Sequence, residues 1–292
     1  MPNHVVVEQV LRKMRGGAQS QLALCKNETH YIIKCPNNPQ GPNVLANELI
    51  ASALMGALDL PTPRWRLARH SSPFGCEFEL GGKSRLPHSK CDLHFASELL
   101  KPSSKGRLYS YLPSSFVQRI ENRRDFLGAL VFDVWAGSTD VRQAVYVEDH
   151  TRKTFKAVFI DNGHLFGGPN WDFVRRPGDS ICLEKEVYAD LFDPLTIESW
   201  ISRIGKKVAR LLPTVLRTVP AEWYKGDIMR LEDTLLARAS SLGTLFLGEM
   251  ASLKVPLQRS YRGINDPKPD SGVLFERARR SWCTPRGALV QT

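Results

Sequence analysis

Alternating polar and apolar residues near the N-terminus predict short β-strands separated by turns. One strand is predicted from Val5 to Met14, and two more run from Gln21 to Cys25 and from His30 to Lys34. The last two are joined by a short polar segment that is typical of a hairpin. The beginning of the chain therefore predicts a small sheet.

A helix is predicted to follow this sheet. It opens after Gly41-Pro42-Asn43, where apolar residues begin to recur at helical spacing, and it ends before the turn Asp59-Leu60-Pro61. The next strand is predicted from Trp65 to His70. Together these elements predict an antiparallel sheet with one helix across it, and the polar segment from residue 71 to 110 is interpreted as a connection to a second lobe.

The second half of the chain has mainly helical periodicity. Apolar stripes predict helices around Phe126 to Val134, around Ile197 to Leu212 and from about Ile228 to Met250. One hairpin interrupts them, with strands from Gln143 to Glu148 and from Phe155 to Ile160. The pattern favours an α+β chain with a β-rich N-terminal part and a helical C-terminal part.

Composition excludes several other classes of protein. The chain has 292 residues, of which 42% are hydrophobic and 24% charged, as in ordinary globular proteins with a sizeable core. Its first residues lack the basic region and long apolar core of a signal peptide, and its most apolar helical run is too short to span a bilayer. We therefore expect a cytoplasmic location and no membrane association.

The six cysteines and the nearby histidines raise the question of a metal site. No Cys-x-x-Cys pair is present, which favours buried thiols over a disulfide framework. His88-x-x-Cys91-x-x-His94, with Cys76 upstream, contains zinc-ligand types, but the spacing matches no common zinc finger. A polar connecting loop is the preferred interpretation.

Net charge is +10 and is concentrated at the C-terminus. After residue 250 there are eight lysines and arginines against three acidic residues. Such a tail attracts nucleic acid, anionic membrane or an acidic protein, but it carries few stacking aromatics and no nucleic-acid-binding motif. A solvated basic tail is preferred, and nucleic acid is expected to bind only through this tail, if at all.

The candidate chemistry follows a fixed order along the chain. A glycine turn near Gly16 comes first, then Lys34 at a strand end and Glu48 within a helix; Asp140 and Asp161 flank the later hairpin. Taken singly, these residues also fit ordinary turns and surface charges. In this order, a lysine held by a helix carboxylate suits phosphate oxygens, and paired loop carboxylates suit a proton acceptor and a Mg²⁺ ligand.

At this point the sequence resembles the HipA-like kinase domain, a branch of the protein-kinase-like fold. The resemblance covers roughly residues 10 to 250 and rests on several collinear segments. These are Tyr31-Ile-Ile-Lys34, Asn47-Glu48-Leu49-Ile50-Ala51, Leu58-Asp-Leu-Pro61, Asp133-Val-Trp135, Ser138-Thr-Asp140-Val-Arg142-Gln143 and Ile160-Asp-Asn-Gly163.

The resemblance implies a bilobal, ATP- and Mg²⁺-dependent kinase that phosphorylates a protein serine or threonine, with an antitoxin-like or regulatory protein as a partner. It implies an N-lobe over residues 1–85, a C-lobe over 86–250 and a separate basic tail over 251–292. The implied residues are Gly16, Gly17 and Ser20 over the phosphates, Lys34 on the phosphates and paired with Glu48, Asp140 as catalytic base, Arg142 on transferred phosphate or orienting the loop, and Asp161 on Mg²⁺.

One departure from the kinase pattern bears on activity. Kinases of this fold place a metal-binding asparagine five residues after the catalytic aspartate, and here that residue is Val145. Gln143 carries an amide oxygen and is the proposed replacement. The alternatives are a nucleotide-binding pseudokinase that regulates a partner protein and a nucleic-acid-associated basic protein.

Overall fold

The computed structural model describes residues 4–14, 17–36, 38–70, 79–80, 84–85, 93–103, 105–174, 176, 178–182 and 185–253. The strands are β1 (His4–Lys13), β2 (Gln21–Cys25), β3 (His30–Lys34), β4 (Trp65–His70), β5 (Glu79–Leu80), β6 (Ser84–Arg85), β7 (His94–Glu98), β8 (Leu108–Tyr109), β9 (Gln143–Asp149) and β10 (Thr154–Ile160). The α-helices are α1 (Val44–Ala57), α2 (Asp125–Ala136), α3 (Pro194–Leu216), α4 (Ile228–Ser240) and α5 (Leu242–Ser252). Short 3-10 helices cover Ser114–Arg119, Lys185–Tyr188 and Ala221–Trp223.

Five strands close into a barrel in the order β1-β2-β3-β7-β4. The predicted antiparallel sheet was wrong in this respect, because β1 pairs in parallel with β4, with His4 opposite Leu67, and so closes the ring. That pairing joins segments about sixty residues apart, and no local pattern in either strand indicates it. The buried cluster of the barrel combines small residues such as Ala23, Ala68 and Ala96 with larger ones such as Tyr31 and Ile33.

The segment predicted to be a connection contains β7, one of the five strands of the barrel. β7 pairs with β3, placing Ala96 opposite Ile33, and with β4, placing Phe95 opposite Leu67. The interpretation of 71–110 as a polar connection was therefore wrong for this part. The sequence His94-Phe-Ala-Ser-Glu98 has two apolar residues among polar ones, and its burial comes from strands on both sides rather than from its own composition.

Helix α1 is almost entirely buried between the barrel and the helical part of the chain. Leu49, Ile50 and Met55 are fully buried, and the helix packs against α3 on one side and against β4 and β7 on the other. At its C-terminal end, Lys207 of α3 donates a hydrogen bond to the Ala57 carbonyl. α1 is therefore held from both sides, which fixes any side chain it presents.

The helical part is organised around α2, in which all residues after Asp125 are buried. Trp135 Nε1 donates to the Leu235 carbonyl on α4 at 3.0 Å. Arg238 donates to the Val134 and Trp135 carbonyls, both at 2.7 Å, and so places a cation at the C-terminal end of α2. The helix predicted here and the one around Ile197 to Leu212 are both present, α3 extending further at its two ends.

The helix predicted from Ile228 to Met250 is two helices, α4 and α5, that break at Ser241. Ser240 and Ser241 each hydrogen-bond to a carbonyl one turn earlier, at 3.2 and 3.1 Å. Such bonds compete with the helical ladder and often bend it. The pair of serines supplies the physical reason for the break.

The hairpin of β9 and β10 pairs Gln143 with Ile160 at its open end. This register sets the segment before β9 beside the segment after β10. β8 adds a third strand along β9. Among the described residues, none of the helices has the length and apolar character needed to cross a membrane.

Candidate active site

Three charged side chains from distant parts of the sequence meet between the barrel and the β9–β10 hairpin. Lys34, the last residue of β3, donates from Nζ to Glu48 Oε1 at 2.5 Å and to Asp161 Oδ1 at 2.7 Å. Glu48 lies on α1, and Asp161 directly follows β10. The side chain of Asp161 keeps 29% of its surface exposed, against 11% for Lys34 and 4% for Glu48, so the cluster opens on the Asp161 side.

Lys34 and Asp161 stabilise each other's charge, whereas burial opposes the charge of Glu48. Burial alone would lower the pKa of Lys34, but the carboxylates of Glu48 and Asp161 outweigh it and raise this pKa. Burial would raise the pKa of Asp161, and the attraction and hydrogen bond of Lys34 outweigh this and lower it. The pKa of Glu48 is raised by its complete burial, a shift that Lys34 only partly opposes. A charged lysine beside an ionised Asp161 is the favoured state near neutral pH.

Asp161 adopts a backbone conformation that is uncommon for a residue with a side chain. Its φ is 58°, in the left-handed region, which aspartate tolerates better than most residues. Gly163, two residues later, lies against α1 so closely that a Cβ there would come within 2.7 Å of Val44 Cγ1. The tight turn after β10 therefore requires this glycine and turns the carboxylate of Asp161 back toward Lys34.

Asn47 holds the segment after Asp161 against α1. Its Nδ2 donates to the carbonyls of Gly163 and Leu165 at 2.8 Å and of Gly168 at 3.2 Å, and its Oδ1 accepts from Trp171 Nε1 at 2.7 Å. No role was predicted for Asn47 from the sequence. An amide within an otherwise apolar helical stretch, directly before Glu48, was the feature that could have indicated it.

A second buried cluster lies behind the first. Arg142 forms an ion pair with both carboxylate oxygens of Asp133 on α2 and donates to Asn162 Oδ1 at 2.7 Å. Arg142 is 4% exposed and Asp133 is fully buried. Of the two roles expected for Arg142, this geometry supports orienting the loop, because the guanidinium is engaged inside the protein and does not face the opening.

Asp140 lies in the loop between α2 and β9, and its side chain is exposed. Its Oδ1 accepts from the Val141 amide at 2.8 Å, and Ser138 Oγ donates to its carbonyl at 2.8 Å. The neighbouring Thr139 donates from its amide and its hydroxyl to the His164 carbonyl, at 3.0 and 3.2 Å. The loop of Asp140 is thus fastened to the loop of Asp161, while its carboxylate remains open to solvent.

Gln143, the first residue of β9, also reaches the cluster. Its Nε2 lies 3.4 Å from Asp161 Oδ2, a long hydrogen bond. Rotation of the amide would present its oxygen at the same place. The structure therefore brings Gln143 and Asp161 together, and Asp161 Oδ2 is only weakly engaged by this contact.

The glycine turn lies at the same end of the barrel as Lys34. Gln21, the first residue of β2, pairs with Ile33, the residue before Lys34. Ser20, which precedes Gln21, therefore lies beside the end of β3. The Ser20 carbonyl accepts from the Met14 amide at 2.7 Å and closes the turn, in which a Cβ on Gly17 would lie 3.1 Å from Gln40 Nε2. Gly16, predicted to belong to the same turn, lies outside the described residues.

Comparison with known proteins identifies the fold in which these residues lie. No protein-family model matches the sequence, and no curated protein matches it either. The structure resembles that of the proinflammatory kinase CtkA of Helicobacter pylori, with a TM-score of 0.52 at 11% identity over 88% of this chain and 100% of that one. It also resembles the Golgi casein kinase, with a TM-score of 0.53 at 12% identity over 87% of this chain and 75% of that one.

At such low identity the likeness shows the fold and not the family. The predicted kinase-like α+β fold is therefore confirmed, with a closed five-stranded barrel in its N-terminal part. Membership of the HipA-like family and the division into lobes stay predictions. The chain has the fold of kinases.

Proposed function

We propose that the protein is an ATP- and Mg²⁺-dependent phosphotransferase that acts on a serine or threonine hydroxyl of a protein. One observation carries the proposal: Lys34 Nζ lies within hydrogen-bonding distance of two carboxylates from separate elements, Glu48 and Asp161, in a kinase-like fold. A lysine held in this way offers a fixed positive charge to phosphate oxygens.

The donor set of the site fits a magnesium ion. Mg²⁺ prefers oxygen ligands and is commonly held by one or two carboxylates together with substrate phosphates. Asp161 Oδ1 accepts a hydrogen bond from Lys34. Among the described hydrogen bonds, Asp161 Oδ2 makes only the long contact with Gln143. The carboxylate of Asp161 is also more exposed than that of Glu48. Asp161, with the amide oxygen of Gln143, would hold the metal, which when bound neutralises phosphate charge.

The remaining residues have roles that follow from their positions. Lys34 would bind phosphate oxygens, and Glu48 would keep its ammonium in place. Backbone N–H groups of the turn from Gly17 to Ser20 would cover the phosphates, since this turn lies at the same end of the barrel. Asp140 would accept the proton of the attacking hydroxyl, because its carboxylate is exposed and its loop is tied to that of Asp161.

Transfer of the terminal phosphate from radiolabelled ATP tests the proposal. Purified protein with Mg²⁺ is incubated alone and with a cell lysate, beside the variants Asp140→Asn and Asp161→Asn and the control Arg203→Ala, whose exposed ion pair with Asp59 lies away from the site. We expect labelling by the wild type and the control and its loss in both aspartate variants. Absence of labelling together with absence of ATP binding would overturn the proposal.

A nucleotide-binding pseudokinase is the second candidate, and one observation favours it. Val145, at the position of the usual metal-binding asparagine, is an apolar residue within β9, paired with Val158. Asn162, the nearest asparagine in sequence to Asp161, has its Oδ1 engaged by Arg142. Normal ATP binding by the wild type with transfer no greater than that of Asp140→Asn would identify this function instead.

The proposal also includes macromolecular partners of three kinds: a protein substrate, a regulatory protein and nucleic acid. A protein substrate is expected from the kinase-like site, and a regulatory, antitoxin-like protein from the resemblance to HipA-like kinases. Nucleic acid would bind only through the basic residues after 253, which lie outside the described residues. A mobility shift of labelled DNA at low salt that disappears when this tail is deleted would demonstrate such binding.

A further inference from the structure

Cys35, His70 and His94 form a compact cluster at the end of the barrel that carries Lys34. One ligand atom from each residue, the Cys35 sulfur and one imidazole nitrogen of each histidine, lies within 4.8 Å of the other two. The two imidazole rings meet edge to face, with centroids 4.7 Å apart. The three side chains therefore surround one small volume.

Strand pairing explains why these residues meet. Cys35 directly follows β3, His70 is the last residue of β4, and His94 is the first residue of β7, which lies between the other two strands. The register places Phe95 opposite Lys34 and His94 opposite Ala68. Three neighbouring strand ends thus each contribute one ligand, from sequence positions that no short motif connects.

The chemistry and burial of the cluster suit zinc. Cysteine sulfur and histidine nitrogen are the ligand types of structural zinc sites, in which ligand atoms bound to one tetrahedral ion lie roughly 3.3 to 3.8 Å from each other. Cys35 is 2% exposed and His94 5% exposed, and His70 is half-buried. Small rotamer adjustments would bring the three atoms to these distances.

A second sulfur is already next to Cys35. Cys35 is disulfide-bonded in this structure, whereas Cys25 and Cys182 are free thiols. Two cysteine sulfurs that can bond to each other can also share one metal ion after reduction. The second cysteine is therefore one of the remaining three, Cys76, Cys91 and Cys283, which all lie outside the described residues. In sequence, Cys76 lies six residues after His70 and Cys91 three residues before His94.

We propose that the reduced protein binds one structural zinc ion through Cys35, His70, His94 and a second cysteine. A dithiol reductant transfers two electrons and two protons to the disulfide, which gives two thiols and leaves the reductant as a disulfide. Zinc binding then displaces the two thiol protons, and both sulfurs bind as thiolates.

The position of this site links it to the candidate active site. Cys35 is the residue after Lys34, so the ion would pin the end of β3 to the adjoining ends of β4 and β7. The Lys34 side chain is directed from the same strand end toward Glu48 and Asp161. The zinc ion would therefore fix the strand that carries the lysine without touching the nucleotide.

Metal analysis of the full-length protein tests the proposal. Protein reduced with a dithiol is loaded with zinc, separated from the reductant and excess metal without air, and analysed by elemental mass spectrometry. We expect about one zinc ion per chain in the wild type, since a structural site of this kind binds a single ion. Cys35→Ser and His94→Ala should lose the metal, whereas Cys25→Ser, a buried thiol of the same barrel outside the cluster, should keep it.

X-ray absorption on the zinc-loaded wild type keeps the test independent of how the variants fold. The spectrum should show two sulfur neighbours at about 2.3 Å and two nitrogen neighbours at about 2.0 to 2.1 Å. A shell made of oxygen alone, or reduced wild-type protein that takes up no zinc, would overturn the proposal. Loss of the metal in one of Cys76→Ser, Cys91→Ser and Cys283→Ser identifies the fourth ligand, and retention in all three would contradict the assignment of a second cysteine.

Discussion

The Lys34 cluster and the Arg142 cluster, both formed by described residues, use similar groups but differ in how far they are closed. The first cluster, Lys34 with Glu48 and Asp161, keeps one carboxylate partly exposed and one of its oxygens weakly engaged. The second, Arg142 with Asp133, is enclosed on all sides. The closed cluster can only hold its elements together, whereas the open one retains charge for a ligand.

The difference also predicts how each cluster tolerates the loss of its cation. Without Arg142, the fully buried Asp133 would have no solvent to replace its partner. Without Lys34, Asp161 could be solvated, and Glu48 could take up a proton because burial already raises its pKa. Stability should therefore depend more on the closed cluster, and activity more on the open one.

The largest expected change is the loss of stability in Arg142→Met. This variant removes the Arg142 ion pair from the fully buried Asp133 carboxylate, which should lower the free energy of unfolding by about 3 to 5 kcal/mol. Urea denaturation followed by circular dichroism measures it. A double variant with Asp133→Leu should recover part of the loss, and an Arg142→Met protein as stable as the wild type would contradict the closed-cluster interpretation.

Next in size is the effect of Lys34→Met on phosphate transfer. Removing the fixed ammonium should reduce transfer by about 10² to 10³-fold, as for other residues that stabilise charge in a transition state. Its cost in unfolding free energy should be smaller than that of Arg142→Met, and adding Glu48→Gln should reduce this cost further. Transfer assays and urea denaturation on the same preparations separate the two effects, and retained transfer would exclude Lys34 from the site.

Asn47→Ala should have an intermediate effect on both properties. It removes the amide that holds three carbonyls of the segment after Asp161, and unsatisfied buried groups of this kind cost about 1 to 3 kcal/mol. Because that segment follows Asp161, the proposed magnesium ligand, ATP affinity should fall as well. Calorimetric titration and denaturation should show both changes, and a loss of stability with unchanged affinity would separate this segment from the site.

The smallest change is expected for Arg203→Ala. Arg203 pairs with Asp59 at the surface and lies over the Trp200 ring, and exposed ion pairs of this type contribute about 0 to 1 kcal/mol. Denaturation should give a nearly unchanged free energy of unfolding, and transfer should be unaffected. A loss as large as that of Arg142→Met would show that burial is not what distinguishes the ion pairs.

The sequence predicted those parts of the molecule that are encoded in local patterns. The first three strands, α1, α2 and the β9–β10 hairpin have clear periodicity, and their residues form these elements. Lys34, Glu48 and Asp161 were proposed together from their order along the chain, and the structure places their charged groups in contact.

Other features depend on contacts between distant segments and could not be predicted. The parallel pairing of β1 with β4 and the insertion of β7 between β3 and β4 are not encoded within any single strand. Similarly, the apolar surroundings of Asn47 set this amide apart, but they do not identify its partners, which are carbonyls more than a hundred residues away.

ATP titration by calorimetry, with and without Mg²⁺, is the decisive test of the claim that Asp161 and Lys34 share a bound triphosphate and metal. We predict that the wild type binds ATP and that Mg²⁺ strengthens this binding. Asp161→Asn should lose the effect of Mg²⁺, and Lys34→Met should bind ATP more weakly in both conditions. ATP binding that is absent from the wild type, or that responds equally to Mg²⁺ in the wild type and Asp161→Asn, would contradict the claim.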